Sequence, residues 1–428
     1  MASVDVPVSL ARPTRWPLYK RPGDKPVFGT MLWQPTLCRF LLCQEVGLSH
    51  GILASSSSTV EPTMSLPRVA IVFIILGLVP TVASPVLAQQ VEPEQKLVEP
   101  FPWSQQATWT TETQEVYFES DGIRLAGTLF VPDGVENGPA VVVTQQAGTE
   151  TRDDPLFQQA VRTFNAIGYS AFVYDRRGRG ESEGDPARPD YGTLARDAAA
   201  AIQAIGKLAA VHPDKIGLWG HSQGGWIAMD AGTMSNAAFV VSVAAPLTTP
   251  GEQMEFWAYS YTLVAGHGEA AAQEAREVRH AVADEYFRGL RTRESAQELV
   301  AQAELEPWFQ WTMLPGSEDI PADPSASPWI HEFDHDPVES LESLEVPVLL
   351  LFGGEDFDIP VGRSLEILEG LDPRDTRTAV VIPGANHAMR NLSHPAEQFE
   401  WTANDVSDSE KYFIVLGTWL GSLNLEAS

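Results

Sequence analysis

The sequence predicts an α/β fold: a mostly parallel, eight-stranded type of sheet with helices on both faces and a helical insertion. Three observations predict it. Near-continuous apolar runs recur along the chain, helical segments alternate with them, and one long interval contains helical segments only. The chain has 428 residues and is 44% apolar, enough for a globular core.

The first ninety residues do not fit that pattern. Starting at Met64, "MSLPRVAIVFIILGLVPTVASPVLAQQ" has one positive residue, Arg68, then an apolar run from Val69 to Val79, then small residues up to Ala88. This is the order of a secretory signal peptide, with cleavage expected after Ala88. The apolar run is shorter than the roughly 20 residues a helix needs to cross a bilayer, so no stable membrane anchor is expected after cleavage. A signal peptide acts from a nascent N-terminus, so residues 1–63 read as a leader from a misassigned start, with translation beginning at Met64. The expected location is exported, periplasmic or secreted. Both cysteines, Cys38 and Cys43, lie in the leader, so the mature chain would hold no disulfide and no thiolate.

Charge narrows the partners. The whole chain has 28 Lys and Arg against 57 Asp and Glu, a net charge of −29. Loss of residues 1–88 removes seven basic and four acidic residues and leaves about −32. Nucleic acid is therefore not an expected partner, because phosphates require a basic surface. The oligomeric state is not legible.

Residues 89–115 form a lead-in, rich in Pro and Glu, without clear periodicity. From Val116, "VYFES" and "RLAGTLFVP" flank Asp121-Gly122 and predict a hairpin. Further strands are predicted at Ala140 to Thr144, Ala171 to Asp175, "KIGLWG", Ala238 to Val243, Val346 to Gly354 and Thr378 to Gly384. Helices are predicted in "PLFQQAVRTFNAIG", "YGTLARDAAAAIQAIGKLAA", the segment after Gly225, and "GRSLEILEGL". The core is thus expected in residues 116–250 and 336–428.

Residues 251–335 interrupt it. They hold the helical stretches "GEAAAQEAREVRHAVADEYFRGL" and "RESAQELVAQAELEPWFQWTML", and concentrate Trp257, Tyr259, Tyr261, Trp308, Phe309, Trp311 and Trp329. The interval reads either as extra surface helices or as a lid over the carboxyl edge of the sheet, where such folds bind ligands. Trp257, Trp308 and Trp311, with Trp226 beside the serine discussed next, are candidates for a substrate pocket.

In "LWGHSQGGW" a serine stands on the turn between a predicted strand and a predicted helix, and Gly220, Ser222 and Gly224 fit G-x-S-x-G. A nucleophilic serine on such a strained turn needs flanking glycines because side chains there would strike the neighbouring strand and helix. It also needs a base, an acid to orient the base, and donors for an oxyanion. His387 in "VIPGANHAMRN" follows the last predicted strand. Asp356 and Asp358 in "LLLFGGEDFDIPV" follow the one before it. The pair His331 and His335 in "HEFDHDP" has a spacing that could suit a metal, but a polar entry into the next strand is the simpler reading, and no H-E-x-x-H pattern exists.

From about Val116 to Leu423 the chain resembles the α/β-hydrolase superfamily, and within it the branch of esterases and serine aminopeptidase-like hydrolases. The resemblance rests on "SDGIRLAGTLFVP", "YDRRGRGESEGD", "HPDKIGLWGHSQGGW", "PWIHEFDHDP", "GGEDFDIPV" and "PGANHAM". It implies Ser222 as nucleophile, Asp356 as acid and His387 as base, in the chain order serine, acid, histidine. It also implies that Arg177 and Gly178 support the turn after the fourth strand. Where many relatives have His-Gly, this chain has Gln145 and Gln146. The oxyanion donors are then the backbone N–H of Gln223 and that of either Ala147 or Gln146. The implied reaction is cleavage of a small-molecule carboxylic ester through an acyl-enzyme, with no cofactor and no metal. A peptidase or amidase of the aminopeptidase type, and a ligand binder that retains the fold without catalysis, remain alternatives.

Overall fold

The computed structural model describes residues 111–148, 151–186, 190–326, 332–391, 408–423 and 425. The leader, the signal segment, both cysteines, most of the lead-in, Trp329 and His331 lie outside the described residues.

Eight strands form one sheet in the order β1-β2-β4-β3-β5-β6-β7-β8. The hairpin of β1 (Thr111–Ser120) and β2 (Ile123–Pro132) turns at Asp121 and Gly122, whose φ angles are 51° and 75°. Positive φ at both central residues is what a tight hairpin matching the strand twist requires. β2 pairs antiparallel with β4 (Ser170–Tyr174), and β3 (Gly138–Thr144), β5 (Val211–His221), β6 (Val240–Val243), β7 (Val348–Gly353) and β8 (Arg377–Ile382) continue the sheet in parallel from there. β1 begins at Thr111, inside the segment expected to be lead-in. Its first residues pair with Thr128 to Pro132 but are mostly exposed on an edge strand, so no apolar alternation marks them.

The apolar runs are continuous because both sheet faces are covered. In β3, Ala140 and Val142 join one core while Val141 and Val143 join the other. The first core is closed by α2 (Tyr191–Ile205), α3 (Gln223–Thr233) and α8 (Val361–Gly370), the second by α1 (Pro155–Ala166) and α9 (Glu410–Ser422). Helix starts follow local chemistry. Asp154 accepts from the Leu156 N–H, with Pro155 beginning α1, and Asp190 accepts from the Thr193 N–H at the start of α2.

The turn after β4 is fastened to α2 by a buried bidentate ion pair, Arg177 Nε and Nη2 to Asp197 at 2.8 and 2.5 Å. Gly178 follows at φ 74°, where a Cβ would lie 2.4 Å from the Pro186 nitrogen. Removing one partner strands the other charge in the interior. Arg177→Ala is therefore expected to cost about 3–5 kcal/mol of unfolding free energy, read from a shifted denaturant midpoint at unchanged slope.

Between β6 and β7 the described chain has no strand and holds α4 (Pro250–Val264), α5 (Glu269–Arg279) running into a π-helical segment at His280–Tyr286, α6 (Arg293–Ala303) and finally α7 (Pro337–Ser343). The helix expected to run on to Leu314 ends at Ala303, and turns with a short 3-10 segment at Phe309–Thr312 follow, across Pro307, which cannot continue a helix. These helices enclose small cores of their own, one around Val282, Tyr286, Phe287 and Phe333 and another around Ala275, Val278, Ala303 and Trp308. Among the described residues, no helix is long and apolar enough to cross a membrane.

Candidate active site

After β3 the chain crosses to β4 on one side, and after β5 it crosses to β6 on the other, so a crevice opens at the carboxyl ends of β3 and β5. Ser222 stands there, between the last residue of β5 and the first of α3. Its φ of 54° and ψ of −126° lie outside the regions an L-residue ordinarily adopts. The surroundings hold it: its N–H donates to Val243 O at 2.7 Å and its carbonyl accepts from the Gly225 N–H at 2.8 Å. The glycines are sterically required. A Cβ on Gly220 would fall 2.0 Å from Gly224 O, one on Gly224 2.6 Å from Thr144 O, and one on Gly225 2.5 Å from Ser242 Oγ.

His387 and the two aspartates converge on the same edge. Gly353, at the end of β7, lets the following loop approach the histidine loop, since a Cβ there would lie 2.5 Å from Ala385 O. Asn386 shapes the histidine loop, accepting from the backbone N–H groups of Ala388 and Arg390 at 3.1 and 2.9 Å. His387 Nδ1 lies 2.9 Å from Asp356 Oδ2, and the other oxygen of Asp356 accepts the backbone N–H of Asp358 at 2.9 Å. The second ring nitrogen, Nε2, is 3.8 Å from Asp358 Oδ2. All three side chains are buried. Burial alone would push the imidazole down, but the carboxylates of Asp356 and Asp358 outweigh it and hold His387 up at about 9.

His221, immediately before the nucleophile candidate, bridges two loops. Its Nε2 is 2.7 Å from the backbone carbonyl of His387, its Nδ1 meets the side-chain amide of Gln146, and its ring lies edge-on to that of His387 with centroids 4.8 Å apart. Burial, followed by the nearby charge on His387, pushes His221 down to about 3, so the ring is neutral. Nε2 faces an acceptor-only carbonyl and must carry the proton, so Nδ1 accepts; the Gln146 amide, placed with Oε1 against Nδ1, pairs with it through its NH2 once turned over. The Gln146 side chain is thus engaged with His221. Gln145 is likewise occupied, donating to Tyr174 O at 2.5 Å.

The backbone segments with the expected oxyanion donors adjoin each other. Arg176 Nη2 donates to Gln145 O at 3.2 Å, Gln146 O at 3.4 Å and the side-chain oxygen of Gln223 at 2.9 Å. Gln223 opens α3, where first-turn N–H groups have no partner within the helix. Arg176 and His221 are site-shaping residues that sequence reasoning missed, and Gln146, expected only as a backbone donor, also engages His221 through its side chain. Nothing local marks them, since each acts on a segment remote in the chain.

The four tryptophans separate. Trp257 stacks on Tyr261 at 4.0 Å between centroids, Tyr261 lies 5.6 Å from Trp311, and the Tyr261 hydroxyl donates to Asp358 at 2.5 Å, so this group adjoins the histidine. Trp226 and Trp308 are corrections to the expected pocket. Trp226 is 3% exposed, its Nε1 donates to Pro246 O at 2.7 Å, and it packs edge-on to Tyr191 in the core under α3. Trp308 is equally enclosed and forms part of the insertion's own core. His335 packs against Tyr191, with ring centroids 4.4 Å apart and planes tilted by 30°, and lies 3.7 Å from Asp230. Asp356, Asp358 and His387 form the one group among the described residues with ligating atoms close enough, within 4.8 Å, to hold a cation. Nδ1 and both oxygens of Asp356 are already engaged in the hydrogen bonds above.

Similarity to known proteins gives the family. The alpha/beta hydrolase family matches over residues 151–401, a range that includes Ser222, Asp356 and His387. The thiohydrolase aneE of Aspergillus aculeatus is 29% identical over 138 residues, 32% of this chain and 42% of that one. The quorum-quenching protein AidA of Acinetobacter baumannii is 30% identical over 135 residues, 31% of this chain and 44% of that one. The chain thus spans under half the length of these relatives. The crystal structure of the alpha/beta hydrolase GrgF from Penicillium sp. sh18 aligns at a TM-score of 0.46 and 18% identity, covering 73% of this chain and 98% of that one. With the family match extending over more than half of the residues, and a sheet order and serine turn of the kind described, the chain belongs to the alpha/beta hydrolase family.

Proposed function

We propose that this alpha/beta hydrolase is an exported serine hydrolase that cleaves carboxylic esters through an acyl-enzyme. The observation that carries the reading is the pairing of His387 Nδ1 with Asp356 at 2.9 Å on the sheet edge where Ser222 occupies its strained turn. Ser222 Oγ attacks the acyl carbonyl while His387 Nε2 takes its proton. The backbone N–H groups of Gln223 and of Gln146 or Ala147 receive the developing oxyanion. His387 returns the proton to the departing alcohol, and water, activated in the same way, releases the acid. Asp356 orients the ring and stabilises its charged form. The export part rests on the sequence of residues 64–88 alone.

Residues 251–335 act in this reading as a lid whose aromatic group, Trp257, Tyr261 and Trp311, borders the acyl site. Apolar acyl surface buried there gains about 25 cal/mol per Å². Thioesters are the second substrate class to test, because relatives are named thiohydrolases. A panel of p-nitrophenyl esters, acyl thioesters and aminoacyl amides tests the assignment. Turnover of esters with rates rising with acyl length is expected; preferential turnover of aminoacyl amides would make the protein a peptidase, and turnover of none would leave a binder.

A further inference from the structure

Asp358 has a place that the ester mechanism above leaves unused. Its side chain is 4% exposed, and a carboxylate removed from water needs a compensating cation or strong donors. Tyr261 and His387 are among the groups that face it. The Tyr261 hydroxyl of α4 donates to Oδ1 at 2.5 Å, and His387 Nε2 lies 3.8 Å from Oδ2. The imidazole is therefore flanked by a carboxylate on each nitrogen, in hydrogen-bond contact with Asp356 and in purely electrostatic contact with Asp358. At 3.8 Å the second contact is too long to capture the Nε2 proton, so that nitrogen stays available to a serine hydroxyl.

The same loop is joined to the insertion at two further points. Ser260 Oγ donates to Phe357 O at 2.6 Å and Gln253 Nε2 to Asp358 O at 3.4 Å. With the Tyr261 bond, α4 fixes both the backbone and the carboxylate plane of this loop.

We infer that Asp358 is a positioning residue that stabilises the charged form of His387 through its Nε2 side, and that Tyr261 of the helical insertion aims that carboxylate. The inference rests on the reading of His387 as general base. The groups that face the imidazole are Asp356 and Asp358 from the loop after β7 and His221 from the end of β5, and His221 is neutral through burial, so the two carboxylates set the charge balance. An opposite charge at this range favours the protonated ring by roughly 1–3 pH units. His387 is thereby a stronger base and holds its proton into the alkaline range, as its position near 9 reflects. The insertion contributes to the chemistry through one phenol, besides covering the site.

The test follows the ring itself as well as the rate. The His387 imidazole nitrogens are titrated by NMR in full-length Ser222→Ala protein, with the signal assigned by its loss in His387→Gln. Asp358→Asn is expected to lower the midpoint by roughly 1–3 pH units, and Tyr261→Phe to lower it by less. In protein that retains Ser222, the acid limb of kcat/KM for a p-nitrophenyl ester should move down by the same amounts, whereas a purely structural role would lower the rate at every pH and leave the limb in place. Unchanged midpoints in folded Asp358→Asn and Tyr261→Phe overturn the inference; if Asp358→Asn does not fold, Tyr261→Phe decides alone. Shifted midpoints in a protein that hydrolyses no ester would uphold the electrostatic coupling and refute the hydrolase reading.

Discussion

Ser222→Ala is expected to lower kcat on an activated ester by about 10⁶ with the fold intact, the scale on which loss of a serine nucleophile acts when base and acid remain. The fold should survive because what holds the turn is backbone: the bonds to Val243 O and from the Gly225 N–H, together with three glycines packed against Thr144, Ser242 and one another. An alanine at φ 54° is strained much as the serine is. A residual rate about 10³–10⁴ above water is expected from the oxyanion donors and binding alone. Steady-state kinetics alongside circular dichroism checks both halves of the expectation.

Asp356→Asn is expected to cost about 10⁴ in kcat, and the hydrogen bonds around it explain the size. Asp356 Oδ1 accepts the backbone N–H of Asp358, and Oδ2 faces His387 Nδ1. An asparagine must keep its carbonyl oxygen on the Asp358 N–H, which turns its NH2 toward the ring. Nδ1 then accepts, the ring proton moves to Nε2, and the nitrogen that should take the serine proton no longer can. The imidazolium also loses a carboxylate at 2.9 Å. A fall of less than tenfold in a folded variant would move the acid's role to Asp358.

Much of this was written locally in the sequence. β3 to β8 are short apolar runs because helices cover both their faces, and the serine turn announces itself because Gly220 and Gly224 have no room for a side chain. The place of His387 and Asp356 after strands at one sheet edge is also local, and the structure brings the two within 2.9 Å of each other. The rest depends on pairings that no local pattern encodes. The first half of β1 is polar and exposed, so only its register with β2 makes it a strand. Tyr261 and Asp358 are 97 residues apart, and His221 and the His387 carbonyl 166 apart. Trp226 and Trp308 fill cores instead of a pocket for two different reasons: Trp226, four residues after Ser222, turns into the core beneath the site and donates to Pro246 O, and Trp308 packs with Ala275, Val278 and Ala303 inside the insertion.

The central claim is that Ser222 is a nucleophile activated by His387 and Asp356. Labelling the full chain with a fluorophosphonate probe and mapping the adduct by peptide mass spectrometry tests it most directly. A single stoichiometric adduct on Ser222 is expected, absent in Ser222→Ala and formed far more slowly in Asp356→Asn and His387→Gln. Folded protein that takes up no probe, or takes it up equally well after Ser222→Ala, would contradict it.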